Sequence, residues 1–263
     1  MAQAIWLECT GRSGRLGSAQ HGHGLLPPPA MPSSALLGNV ASAGLFAMVA
    51  TAMVNTKGLD EELGFYGAYH QNPWNQLIHF VFIPCIWWSI LVMLCHVPFL
   101  PASAIGLDSI GGHHITWGTL QYLAYSLWYI YLDAAAGGLT GIFLTLAYLQ
   151  ASSAVASERA HNDAAHGKDE LKKTKGMSWF TFAFILHALA WYMQIHPGHK
   201  ILEGVKPALL DSLGQALGTA PMFAFLEGAW FVGLLPEMKG RVAVLVAENR
   251  NAMCAAGKPM PWC

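Results

Sequence analysis

Long apolar runs separated by short polar segments dominate the pattern along the chain. Five of them stand out: Leu77–Val97, Trp117–Leu132, Gly137–Ala156, Ser178–Ile195 and Gly218–Leu235. Each is two to five times the length of a typical strand, so the apolar residues are arranged as spans rather than as alternating faces. Trp117–Leu132 is short and rich in Tyr and Trp, which suits a position near the lipid headgroups. Gly137, Gly138 and Gly141 would let a neighbouring helix approach closely. Residues 33–56 add an Ala- and Gly-rich apolar segment, either a further spanning helix or the h-region of a targeting signal. Residues 1–32, rich in Gly, Ser and Pro, read as a disordered leader or targeting segment, with Met31 as an alternative start. The expected fold is all-α, a polytopic membrane helix bundle of four to six hydrophobic helices. Residues 57–240 form its main domain and residues 241–263 a C-terminal tail.

Composition agrees. The chain of 263 residues is 54% hydrophobic and 11% charged, with a mean hydropathy of +0.38. A soluble domain carries about a quarter charged residues, so this chain has too few to cover a globular surface. A net charge of -1 gives no reason to expect nucleic acid as a partner. The five cysteines form no CxxC pair, which argues against a zinc ribbon and against a disulfide framework.

Charge also orients the chain. Residues 157–176, with Arg159, Lys168, Lys172, Lys173 and Lys175, form the densest basic loop and are expected in the cytosol. Four crossings separate the segment before Leu77 from the segment after Ile195. An even number of crossings returns a chain to its starting face. Those two polar segments therefore share one side, opposite the basic loop.

Both segments carry histidine. In the first, Asn72-Pro73 is a helix start, because Asn caps and Pro at the first helical position loses no hydrogen bond. His79 then lies nearly two turns inside the helix, while His70 lies before the cap. The break at Pro73 lets both imidazoles converge, although nine residues on one helix would set them on opposite faces. In the second, His199 and Glu203 are four apart and share a helical face; Pro197-Gly198 leaves the direction of His196 open. Neutral imidazoles with a carboxylate suit Fe(II), Mn(II) or Zn(II), and no thiolate is placed to compete. The many-histidine boxes of membrane desaturases are absent, so a diiron site of that kind is not expected. The remaining histidines have plainer readings. His96 is interfacial, His187 a helix–helix hydrogen bond, and His21, His23, His113, His114, His161 and His166 lie in polar segments.

At these two segments the sequence resembles the endoplasmic-reticulum 2-hydroxy fatty acid dioxygenases. The first block is Gly64, Phe65, Tyr66, Tyr69, His70, Asn72, Asn75, Ile78, His79, Ile83 and Pro84. The second is Trp191, Gln194, Gly198, His199, Glu203, Pro207, Ala208, Leu209, Ala220, Pro221 and Glu227. The resemblance covers about residues 60–240. It implies an Fe(II)-dependent reaction of dioxygen with a long-chain 2-hydroxy fatty acid, giving an acid one carbon shorter, in α-oxidation of the products of phytosphingosine breakdown. His70, His79 and His199 carry over as iron ligands, and Glu203 as a motif residue, either ligand or orienter. Between Gln194 and Gly198 this chain has Ile-His-Pro where the family pattern has two apolar residues. That places His196 beside the site as a fourth ligand, a contact for the substrate carboxylate, or neither. The acyl chain would stay in the bilayer with its carboxylate at the interface. Lys200 and Lys206 are read there as snorkelling cations, or as partners of that carboxylate.

Two other functions stand beside the dioxygenase. A non-catalytic lipid-binding or scaffold protein of the same fold would need the histidines only for stability. A small transporter is disfavoured, since no inverted repeat is visible and Glu227 is the only acid deep in a well-defined span.

Overall fold

Asn72 and Pro73 open the helix around which the others are arranged. In a computed structural model, which describes residues 33–55, 58–107, 109–110, 113–165, 177–205, 213–258 and 260–263, the Asn72 side chain accepts from the N–H groups of Trp74 and Asn75 at 2.9 and 3.4 Å. The leader, most of the basic loop and Lys206 to Leu209 lie outside the described residues. The elements run α1 (Ser33–Val54), α2 (Leu59–Ala68), α3 (Pro73–Cys95), α4 (Leu100–Ala104), α5 (Trp117–Leu132), α6 (Ala134–Ala165) and α7 (Trp179–Met193). A π-helix (Gln194–Glu203), α8 (Leu213–Phe231) and α9 (Pro236–Ala255) follow. A two-residue antiparallel ladder, β1 (Ser109–Ile110) with β2 (His113–His114), sits between α4 and α5. The fold is all-α, as the apolar runs require.

The α3 helix is central and packs against α5, α6, α7, α8 and the π-helix. Its 23 residues reach about 34 Å, enough for the hydrocarbon core of a bilayer. Among the described residues, three helices are long and apolar enough to cross a membrane, within Ser34–Val54, Pro73–Cys95 and Ala134–Ala164. A fourth crossing exists if α8 and α9, bent by 120° at their junction, count as one broken span. Leu77, Phe80, Phe184 and Leu189 are exposed, as side chains facing lipid would be.

One of the expected spans is shorter than the sequence pattern suggests. The α7 helix runs over 15 residues, Trp179–Met193, within the expected Ser178–Ile195, whereas the 16 residues of α5 coincide with the expected Trp117–Leu132. Asp133 ends α5 where the apolar run ends: its Oδ1 accepts from the N–H groups of Ala135 and Ala136, so the chain caps α6 one residue later. A Cβ at Gly137 would overlap the Tyr129 carbonyl, so glycine is required at this reversal, whereas Gly138 and Gly141 have open space. The α7 helix is short because it changes into the π-helix at Gln194. The last run also ends early. Gly233 (φ 83°) and Leu235 (φ 49°) turn the chain before Pro236 starts α9.

Polar pairs inside the bundle join neighbouring helices. His187 Nδ1 lies 2.9 Å from Ser89 Oγ and its Nε2 accepts from Trp191 at 3.0 Å, the helix–helix role expected of it. At the end remote from His70, His96 meets Glu158 at 3.3 Å and Arg159 donates to the Cys95 carbonyl at 2.7 Å.

The cysteine expectation needs a correction. Cys254 and Cys263 form a disulfide, with Cα atoms 5.4 Å apart. Their spacing does not reveal it, because it depends on a reversal at Gly257 (φ 70°) and on burial of Met260. Residues 241–263 comprise most of α9, which packs on α2, and this closed loop.

Candidate metal centre

The chain around His70 and His79 uses one local device twice. His70 Nδ1 lies 2.7 Å from the Tyr66 carbonyl, and His79 Nδ1 lies 2.9 Å from the Asn75 carbonyl, each four residues back. A carbonyl only accepts, so each Nδ1 carries the proton and each Nε2 keeps its lone pair. This fixes both rings and turns the ligating nitrogen away from the backbone. The break at Asn72-Pro73 then directs the two rings to one place, with centroids 4.5 Å apart and planes at 74°.

The third ring comes from the π-helix. The His199 centroid lies 4.9 Å from that of His70 and 4.9 Å from that of His79. One ligand nitrogen from each of the three histidines lies within 4.8 Å of the others. The residues are only 1%, 2% and 3% exposed in chain order. His70 Nε2 and His199 Nδ1 are buried with no hydrogen-bond partner among the described residues. Burial, followed by the charges of His79 and His199, holds His70 well below the usual imidazole range, against a smaller opposing effect of the Tyr66 carbonyl. Burial first, and then His79, brings His199 down to about 3. Both rings are therefore neutral at pH 7, the form that binds a metal.

Glu203 is committed elsewhere. Its Oε1 accepts from the Gln71 N–H at 2.7 Å; its Oε2 accepts from the Asn72 N–H and the Asn75 side-chain amide, both at 3.0 Å. Asn72 returns a bond from its side-chain amide to the Leu202 carbonyl at 2.8 Å. The carboxylate thus ties the π-helix to the turn between His70 and His79. Gly198 permits that approach: a Cβ there would come 2.5 Å from Asn75 Oδ1 and 3.5 Å from His79 Cε1. The wide turns of the π-helix pass through Pro197, which has no N–H to give to a helical bond. Gly204 (φ 70°) ends it.

His196 does not join the group. Its ring stacks on Tyr192 at 5.4 Å and 9°. Lys200 is exposed, and Lys206 lies outside the described residues.

Several neighbours have no periodic signal in the sequence. The Tyr66 ring stacks on His70 at 4.2 Å and 18°, and Phe223 of α8 packs against both. Burial, and after it the charge of Glu227, raises the Tyr66 phenol above its usual range, so the hydroxyl keeps its proton. The C-terminal segment closes over the same end. Arg250 donates to Gln71 Oε1 at 3.0 Å and lies over the Trp262 ring at 4.8 Å. Pro261 Cγ would be 3.3 Å from a Cβ at Gly204. Only the length of the polar C-terminal stretch could have pointed to this.

The donor set fits a divalent transition metal. Three neutral imidazoles converge, two with buried and unpartnered nitrogens, and neither Cys85 nor Cys95 belongs to the group. Such a set leaves positions open to other ligands.

Comparison with known proteins bears on what such a site is for. Residues 56–229 match the family model described as 2-hydroxy-palmitic acid dioxygenase Mpo1-like. The 2-hydroxy-palmitic acid dioxygenase MPO1 of Saccharomyces cerevisiae is 31% identical over 181 residues, which are 69% of this chain and 85% of that protein. No solved structure gives a significant match.

Proposed function

The chain belongs to the Mpo1-like family of 2-hydroxy-palmitic acid dioxygenases, and on that premise we propose that it is an Fe(II)-dependent membrane dioxygenase that shortens long-chain 2-hydroxy fatty acids by one carbon. The observation that carries this reading is the group of three buried histidines with ligand nitrogens within 4.8 Å. His70, His79 and His199 would hold the metal. Bound there, Fe(II) supplies the open positions and the redox chemistry that dioxygen requires.

The chain's own residues set the conditions. Tyr66 and Asn75 hold two rings in the ligating tautomer through their carbonyls. Glu203 keeps the third ring's helix in place, as a positioning residue rather than a ligand. Because no ligand brings negative charge, the loaded site attracts an anion such as a carboxylate. Exposed apolar side chains on α3, such as Leu77 and Phe80, would keep the acyl chain in lipid while its head reaches the histidines.

The helices long enough to span fit an integral membrane protein, and we place it in the endoplasmic reticulum, acting on 2-hydroxy acids from sphingoid-base breakdown. The site would face the lumen. Arg159 and the basic loop that follows mark the opposite end as cytosolic, and the Cys254–Cys263 disulfide near the histidines suits an oxidising compartment.

Metal analysis of the detergent-solubilised protein beside His70→Ala, His79→Ala and His199→Ala tests the reading. The wild type should hold iron and convert 2-hydroxypalmitate, with oxygen, to the acid one carbon shorter; each variant should lose both. Active protein without stoichiometric iron would remove the metal from the account. Bound iron with no lipid conversion would favour a lipid-binding scaffold.

A further inference from the structure

Glu227 stands one helical turn beyond Phe223 on α8, on the face that meets Tyr66 and His70. The Phe223 ring lies 4.7 Å from Tyr66 and 5.8 Å from His70. Gly228, the next residue, backs onto the neighbour of His79: a Cβ there would come 2.5 Å from Phe80 Cε2. Glu227 is thereby set at the seam of α2 and α3, where two of the histidines converge. Tyr66, which Phe223 meets, is the ring stacked on His70.

The Glu227 Oε2 is buried and has no hydrogen-bond partner among the described residues. Buried acceptors are nearly always satisfied, and one left open beside a candidate site needs a donor from elsewhere. Glu203 is no precedent for idleness, since its two oxygens take three hydrogen bonds. A fatty-acid carboxylate cannot supply the donor, because it only accepts. A hydroxyl can.

We infer that Glu227 Oε2 accepts the hydrogen bond of the substrate's 2-hydroxyl, and so selects 2-hydroxy acids over unsubstituted fatty acids. The inference rests on the function proposed above. It makes Glu227 a specificity residue with no part in holding the metal. A site with a buried acceptor rejects a ligand that lacks the matching donor, because binding then seals the acceptor off unpaired.

Equilibrium binding of 2-hydroxypalmitate and of palmitate to the iron-loaded full chain under argon reads this preference without turnover. The wild type should favour the hydroxy acid, and Glu227→Leu should reduce that preference by about tenfold or more, with iron content and palmitate affinity unchanged. Glu227→Gln, of the same shape, keeps one acceptor oxygen and should retain only part of the preference. A structural defect would weaken both ligands alike. A preference left intact in whichever variant folds, or iron lost on substitution, overturns the inference. A wild type that neither prefers nor converts the hydroxy acid overturns the functional reading itself.

Discussion

The Glu203 carboxylate accepts the Gln71 backbone N–H at 2.7 Å across 132 residues of sequence. With the bonds from Asn72 and Asn75, it fixes the His199-bearing helix against the turn that separates His70 from His79. Outer residues that hold a ligand in place typically affect metal affinity by about 10- to 100-fold. Glu203→Ala should therefore weaken metal binding by about that factor, measured by competition with a chelator, while the protein remains helical. Glu203→Gln, which keeps one acceptor, should fall between. Unchanged affinity in both would show that the clamp does not govern the site.

Gly198 offers a test by volume alone. The added methyl of Gly198→Ala would meet Asn75 Oδ1 at 2.5 Å, and either Asn75 or the π-helix must move. Gly138→Ala is the control, because that position is helical and faces open space. The first substitution should lower metal occupancy and thermal stability. The second should leave occupancy alone and be neutral or stabilising by about 0.5–1 kcal/mol.

Acid should destabilise the metal-free protein. Unfolded, His70 and His199 take up protons as pH falls below 6.5; folded, burial keeps His199 from doing so until about 3. Across that window the unfolded state binds more protons, so stability is complete above 6.5 and is lost as pH falls toward the folded value. Thermal unfolding of metal-free protein at several pH values should show this decline, and His199→Leu should make it shallower. A flat profile from about pH 7 to about 4 would show that the buried rings do not contribute.

The C-terminal loop should support the site from outside. Cys254→Ser opens a loop whose closure is worth roughly 2–3 kcal/mol in chain-entropy terms. Pro261 packs near Gly204 and Arg250 holds Gln71, so hydrogen exchange should quicken at residues 198–205 in this variant. Exchange confined to α9 would mean that the loop is an independent appendage.

How much of this was legible in the sequence differs by element. The start of α3 is encoded locally, since Asn72 and Pro73 act only on their own backbone. The meeting of the two histidine segments fits the parity argument, which tolerates errors in helix length; α7 is shorter than expected and the segments still meet. Short range also explains the failures. A four-residue spacing serves a ligand and a clamp equally, so the role of Glu203 is decided by N–H groups 132 and 131 residues away. The π-helix has no periodic signature, and neither the disulfide nor the burial of Glu227 Oε2 can be read without the partners that surround them.

The separation between Gln71 and Glu203 also sets a timetable for biogenesis. During synthesis His70 and His79 emerge early and await a third candidate ligand that lies beyond α7, so no truncated chain ending before Gln194 contains the complete set. Metal capture is then a late event that reports completed insertion. A chain stalled in the translocation machinery would remain without a complete metal-binding group until its last helices had docked.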